Sequence, residues 1–246
     1  MVLGPRGPGG ADGRGAGGDV NGRALRALVR KDLLLELRGR EVIPSMAVFV
    51  GAAFVLFRFG LGGTELAGGT RAATGMLWVA IVFTALVGLA RSFAHEREGR
   101  TWDGLLAAPV DRALFWFARA CSTFLFLVAV QALALPAFWL FFLQEHAGPS
   151  YPVLVAAVVL ADVGIACLGS LLAGLASAVR AREVLLPALY LPFSIPLVLT
   201  AVRVTTDTIS PQTSGLETLQ RLGYLALYDT VFALLGWALF EYVVED

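Results

Sequence analysis

The sequence predicts an all-α integral membrane protein with six transmembrane helices. Three observations carry that prediction. Of the 246 residues, 57% are hydrophobic and only 15% charged, where soluble domains run to about 45–50% and roughly 25%. The mean hydropathy is +0.74, and the apolar residues are gathered in blocks rather than dispersed. Six of those blocks approach or exceed the ~20 residues a helix needs to cross the hydrocarbon core. Basic and acidic residues number 19 each, so no charge excess points to nucleic acid as a partner.

Residues 1–22 are dense in glycine and hold no apolar run, so a disordered tail is expected there. The stretch lacks the apolar h-region of a secretory signal. Residues 23–41, RALRALVRKDLLLELRGRE, read as a helix lying along the cytoplasmic membrane face. Arg23, Arg26, Arg30 and Arg38 share one broad arc, with Leu25, Leu28 and Val29 opposite. Asp32 and Glu36 fall on the apolar side, which predicts contact with protein beside contact with lipid. The plainer reading is a positively charged topology anchor.

The spans follow at about 42–59, 72–94, 113–143, 151–179, 183–202 and 222–244. The first has a short core between Pro44 and Arg58. Pro136 is expected to kink the third or end its straight part. The fifth carries Pro187, Pro192 and Pro196, tolerable where neighbouring helices re-satisfy the freed carbonyls. Residues 203–221, RVTTDTISPQTSGLETLQR, mix polar with apolar positions and are expected to form a short helix or re-entrant piece at the outer rim.

Basic residues set the orientation, because cytoplasmic loops retain them. Arg23, Arg26, Arg30, Lys31, Arg38 and Arg40 precede the first span. Arg91, Arg97, Arg100 and Arg112 follow the second, and Arg180 and Arg182 follow the fourth. Arg58, Arg71, Arg203 and Arg221 lie on the opposite side. Twelve against four places both termini in the cytoplasm.

The segment FAHEREGRTWDGLLAAPVDR, residues 93–112, interrupts two apolar blocks. Within it Trp102, Leu105, Leu106 and Pro109 fall at i, i+3, i+4 and i+7. On a helix of about 95–109 they form one apolar stripe, while Glu96, Arg97, Glu98, Arg100 and Asp103 face elsewhere. Such a helix either lies on lipid or docks in the groove of a soluble partner. The stripe is small, and glutamates are disfavoured beside an anionic leaflet. Docking is the favoured fate.

This segment resembles the loop after the second span in the CcmB family, the permease (haem exporter protein B) of cytochrome c maturation. That loop reads Phe, a few polar residues, Glu-x-x-Gly-Thr, then Leu-Leu-x-x-Pro. Phe93, Glu96, Gly99, Thr101, Leu105, Leu106 and Pro109 fit it, with Arg100 inserted after the glycine. RAREVLLPALYLPFSIPLVLTA (180–201), LFEYVVED (239–246) and KDLLLELRGRE (31–41) are also similar to the family, so the likeness covers about 23–246.

The resemblance implies a type-2 ABC exporter permease fold: an N-terminal interfacial helix, six spans, and a coupling helix between spans two and three. It implies that Phe93, Glu96, Gly99, Thr101, Trp102, Leu105, Leu106 and Pro109 couple the chain to an ABC ATPase subunit (CcmA-like). Further implied partners are haem-handling membrane proteins (CcmC-like, CcmD-like and CcmE-like). The expected setting is the bacterial inner membrane, with ATP bound by the partner subunit and haem handled by the complex. The likeness leaves open whether haem itself is moved or a loaded periplasmic chaperone is released. An ABC permease needs two membrane halves, so a homodimer or pairing with a related subunit is expected. Two other functions fit the same pattern less well: a type-2 ABC permease exporting a lipid, glycan or drug, and a membrane assembly scaffold that transports nothing.

No G-x-x-x-x-G-K-[ST] occurs, and Lys31 has no glycine loop before it. The chain is therefore expected to carry no ATPase site, and no catalytic residue or metal is expected in it. Axial haem ligands would be His, Met, Cys or Tyr. His95 is read as a loop histidine and His146 as a rim histidine rather than a ligand. Trp78, Trp102, Trp116, Trp139 and Trp237 are scattered and form no haem platform, and Cys121 and Cys167 are read as small core residues.

Asp162, in VVLADVGIACLG, stands well inside the fourth span, where an ionised carboxylate costs about 2.5–3.5 kcal/mol on insertion scales. It is expected to face a partner group or a wet cavity, either as a helix–helix hydrogen bond or as part of a conformational switch. Gln131 and Asp229 pose the same question. Ala166, Ser170, Gly174 and Ala178 recur every four residues on this helix, a ridge of small residues that lets another helix approach.

Overall fold

A computed structural model describes residues 16–60, 69–98, 112–142, 151–177, 182–210 and 215–243. Among them are seven helices and no strand: α1 (Ala16–Gly39), α2 (Val42–Gly60), α3 (Gly69–Glu98), α4 (Arg112–Phe142), α5 (Tyr151–Ser177), α6 (Arg182–Ile209) and α7 (Gly215–Val243). Helices α2 to α7 are each long and apolar enough to cross a membrane.

Two boundaries differ from the sequence expectation. α1 begins at Ala16, inside the stretch expected to lack order. Once the apolar part of a helix is held by packing, each added residue contributes a backbone bond without a new nucleus. At the other end of the bundle, residues 203–221 do not make a separate rim helix. α6 runs on to Ile209 and α7 starts at Gly215. Two of the polar residues there bond within α6: Thr206 and Thr208 donate to the carbonyls of Val202 and Val204, each at 2.7 Å. Arg221 of α7 then pairs with Asp207 of α6 and ties the two extensions together.

α5 occupies the centre and packs against α3, α4, α6 and α7. The most apolar windows of α3 and α5 are each 61% buried, against 17% in α7 and 22% in α2, which marks the first pair as inner and the second as peripheral. Close approach is set by glycine. A Cβ on Gly164 would stand 2.6 Å from Asp229 Oδ1 and 2.9 Å from Leu197 Cδ1, and one on Gly169 would stand 2.5 Å from Leu89 Cδ1. Lipid tails are as apolar as leucine, so helices in a membrane gain mainly by such close contact. The outward faces, with Leu227, Leu234 and Trp237 of α7 and Leu56 and Phe59 of α2, are exposed and apolar.

Side chains fasten the periphery. Phe54 of α2 meets Phe138 and Phe142 of α4 with ring centroids 6.0 Å apart in both cases. Trp78 of α3, fully buried, donates its indole N–H to Thr205 Oγ1 of α6 at 3.0 Å. Thr74 Oγ1 and Thr206 Oγ1 lie 2.6 Å apart, and Thr70 Oγ1 and Ser210 Oγ 3.0 Å, extending one polar ladder to the end of the bundle. α4 continues through Pro136, and α6 through Pro187, Pro192 and Pro196. Ser194, Tyr228 and Thr200 donate to the carbonyls of Leu191, Phe193 and Pro196 in that proline-rich stretch.

Candidate functional site

Helices α3 and α4 are the two stems of the 93–111 segment, and a buried arginine holds them together. Arg119 sits two turns into α4 and is 6% exposed. A guanidinium keeps its charge under any biological condition, so a buried one must be met by acceptors. Its Nη2 donates to Ser92 Oγ of α3 at 2.6 Å, and its Nη1 stands 3.5 Å from Asp32 Oδ2 of α1. Ser92 directly precedes the segment. One side chain thus joins both stems to the N-terminal helix.

Glu36 completes the arrangement one turn along α1. Its carbonyl accepts from Arg40 N at 2.7 Å and closes α1. Its carboxylate accepts from Val42 N at 3.0 Å and Ile43 N at 2.7 Å, the open amides of the first turn of α2. A negative charge there also faces the positive end of the α2 dipole. Arg40, between the helices, adopts φ 54°, a left-handed conformation that an L side chain enters at a cost of about 1 kcal/mol. Asp32, Glu36, Gly39, Ser92 and Arg119 line a small pocket of about 40 Å³ between the four helices. The two acidic residues that spoiled the amphipathic pattern of α1 are therefore its protein contacts, while Arg23, Arg26, Arg30 and Arg38 are exposed.

Deeper in the bundle, Asp162 of α5 is fully buried and accepts a hydrogen bond from Gln131 Nε2 of α4 at 2.6 Å. Asp162 Oδ2 and Gln131 Oε1 have no further partner among the described residues. Asp229 of α7 is buried on another face of α5, beside Gly164, and neither of its oxygens finds a donor among those residues. α5 thus carries one bonded carboxyl at its α4 interface and faces Asp229, without a donor among the described residues, at its α7 interface.

Of the residues singled out from sequence, Phe93 and Glu96 continue the α3 backbone, with side chains outside the described set. Gly99, Thr101, Trp102, Leu105, Leu106 and Pro109 lie outside the described residues, as does most of the 95–109 helix; 95–98 belong to α3. The side chain of His95, and the whole of His146, lie outside as well. Ala166, Ser170 and Gly174 of the small-residue ridge are buried, and Ala178 lies outside. Gln131 and Asp162 are brought together, and Asp229 is kept apart from that bond. Sequence reasoning passed over Arg119, although an arginine seven residues inside an apolar block is itself a signal. It also passed over Gly164 and Gly169, which resemble any other small residue until their neighbours are known.

Comparison with known proteins covers most of this framework. The family model described as CcmB protein matches residues 23–236. Heme exporter protein B of Paracoccus denitrificans is 32% identical over 174 residues, which is 70% of this chain and 78% of that protein. Heme exporter protein B of Rhodobacter capsulatus is 29% identical over 174 residues, with the same coverage of both chains.

Proposed function

This chain belongs to the CcmB family, and from that premise we propose that it is the membrane subunit of an ABC-type haem exporter complex serving cytochrome c biogenesis. The observation that carries the reading is the family match across 23–236 on a chain with six membrane-spanning helices. In this reading a separate ATPase subunit supplies the energy, since the sequence has no phosphate-binding loop. That subunit docks on the 93–109 segment through Phe93, Glu96, Gly99, Thr101, Trp102, Leu105, Leu106 and Pro109. Both termini are cytoplasmic, in a bacterial inner membrane, and two copies or a related subunit form the two membrane halves.

The Arg119 clamp supports a mechanical role for the segment. A partner that pulls or tilts the 93–111 loop displaces Ser92 and the start of α4, and Arg119 passes that displacement to α1. Two discrete arrangements of such packed helices, biased by a bound nucleotide in the partner, are what coupling requires. The haem step lies with the complex: either haem moves, or a loaded periplasmic chaperone is released through partners of the haem-handling kind.

Photocrosslinkers at Leu105 or Leu106 test the docking. Capture of an ATPase subunit supports it; capture of phospholipid alone overturns it. Glu96→Lys separates the reading from a passive scaffold. The partner's ATPase activity should lose its coupling or binding while both proteins remain present, and an unchanged activity favours the scaffold. Assay of haem in the purified complex addresses the cargo.

A further inference from the structure

Away from α1, at the opposite end of the bundle, three arginines from three helices surround one pocket. Arg71 of α3, Arg203 of α6 and Arg221 of α7 line a volume of about 480 Å³ together with Thr70, Thr206 and Ser210 hydroxyls. Among the described residues Asp207 is the one acidic residue in that lining, and Arg221 already pairs with it. Glu217, 3.8 Å from Arg221, stands outside it. Among the described residues the Arg71 and Arg203 side chains have no acidic partner. Arg71 and Arg203 are exposed at this pocket, and an anion lying between the three guanidiniums would relieve their mutual repulsion. Gly69, the first residue of α3, lines the same wall and brings the positive end of that helix's dipole to it.

We propose that this pocket binds a phosphate group. Planar guanidinium forks from several directions suit the oxygens of a phosphate, each fork offering parallel donors. The pocket sits where a lipid headgroup lies. α6 has 28 residues, hence ~42 Å of length at 1.5 Å per residue, whereas the hydrocarbon core is ~30 Å thick. Its final turns, with Arg203 and Asp207, and Ser210 just beyond them, therefore stand in the polar layer. The volume exceeds what a bare phosphate fills and leaves room for the glycerol of a phosphatidylglycerol headgroup. The phosphate comes either from such an anionic lipid or from solution, and the lipid is the source the position favours.

The test uses the full-length protein in nanodiscs of phosphatidylcholine alone or with phosphatidylglycerol, followed by native mass spectrometry of the lipid retained. In a second arm, inorganic phosphate is titrated by calorimetry into the phosphatidylcholine sample. The variants are Arg71→Gln with Arg203→Gln, and Arg203→Gln alone in case the pair impairs folding. Retention of phosphatidylglycerol about tenfold above phosphatidylcholine, falling about tenfold in either variant at unchanged melting temperature, supports the site with lipid as source; the factor is that of one charge-assisted hydrogen bond. Phosphate binding without lipid preference, lost in the variants, supports it with a soluble source. The proposal is overturned if neither probe binds, or if binding survives in the variants. Neither arm involves haem or the ATPase partner, so the outcome is independent of the function proposed above.

Discussion

Arg119 of α4 stands 3.5 Å from Asp32 of α1, and the two side chains are 7% and 11% exposed. Removing the arginine leaves Asp32 beside Lys31, its neighbour in the chain, at 3.6 Å. Breaking a buried pair from one side costs about 3–5 kcal/mol when the remaining charge is left alone, and Lys31 keeps the loss here below that. Arg119→Ala is therefore expected to lower the melting temperature in detergent and to reduce the response of ATPase activity to this subunit. Arg119→Lys should not restore either, because one ammonium cannot match a fork that reaches Ser92 and Asp32 at once. Full recovery by lysine would show that charge alone suffices.

Glu36 bonds two amides of α2 from the last turn of α1. Glu36→Ala removes both charge-assisted bonds and the favourable dipole contact, about 1–2 kcal/mol together. Limited proteolysis is expected to cut faster between residues 38 and 44, with the spans otherwise intact. Glu36→Gln, which keeps an acceptor oxygen, should fall between the two.

Arg40 is held at a left-handed φ. Glycine meets no such penalty, so Arg40→Gly is expected to stabilise the α1–α2 junction by about 1 kcal/mol. Thermal denaturation reads this directly. A loss of stability would mean that the Arg40 side chain contributes more than its backbone costs.

Asp162 and Gln131 form a hydrogen bond between α4 and α5 that either packs the bundle or lets it switch. Asp162→Asn keeps an acceptor for Gln131 Nε2, and Asp162→Leu removes it. Interhelical bonds of this kind contribute about 0.6–1.7 kcal/mol. For a packing role, Asn should assemble and support normal cytochrome c levels while Leu lowers stability modestly. Loss of cytochrome c in a stable Asn variant would assign the carboxyl a part in the working cycle.

Gly164 allows α5 to meet α6 and α7 at once. Valine there would drive into both Leu197 and Asp229, and such overpacking costs about 1–3 kcal/mol. Gly164→Val is expected to reduce the yield of folded protein measured by size-exclusion chromatography. Gly169→Ala should be milder, since only the far end of the Leu89 side chain must yield.

The membrane class and the six spans were legible along the chain, because burial in lipid needs long apolar runs and runs are local. The resemblance to the CcmB family was legible for a related reason: its motifs are contiguous stretches such as Glu96–Gly99 and Leu105–Pro109. Even the misfit of Asp32 and Glu36 with the apolar face of α1 could be read as a sign of protein contact. Which partners they meet could not. Arg119 is 87 residues from Asp32 in the chain, and only folding brings α4 back beside α1. The same holds for Gln131 with Asp162, for Gly164 beneath Asp229, and for the arginines of α3, α6 and α7 around one pocket. Helix periodicity tells a residue which face it shares, but the neighbour of that face is chosen by packing between distant segments.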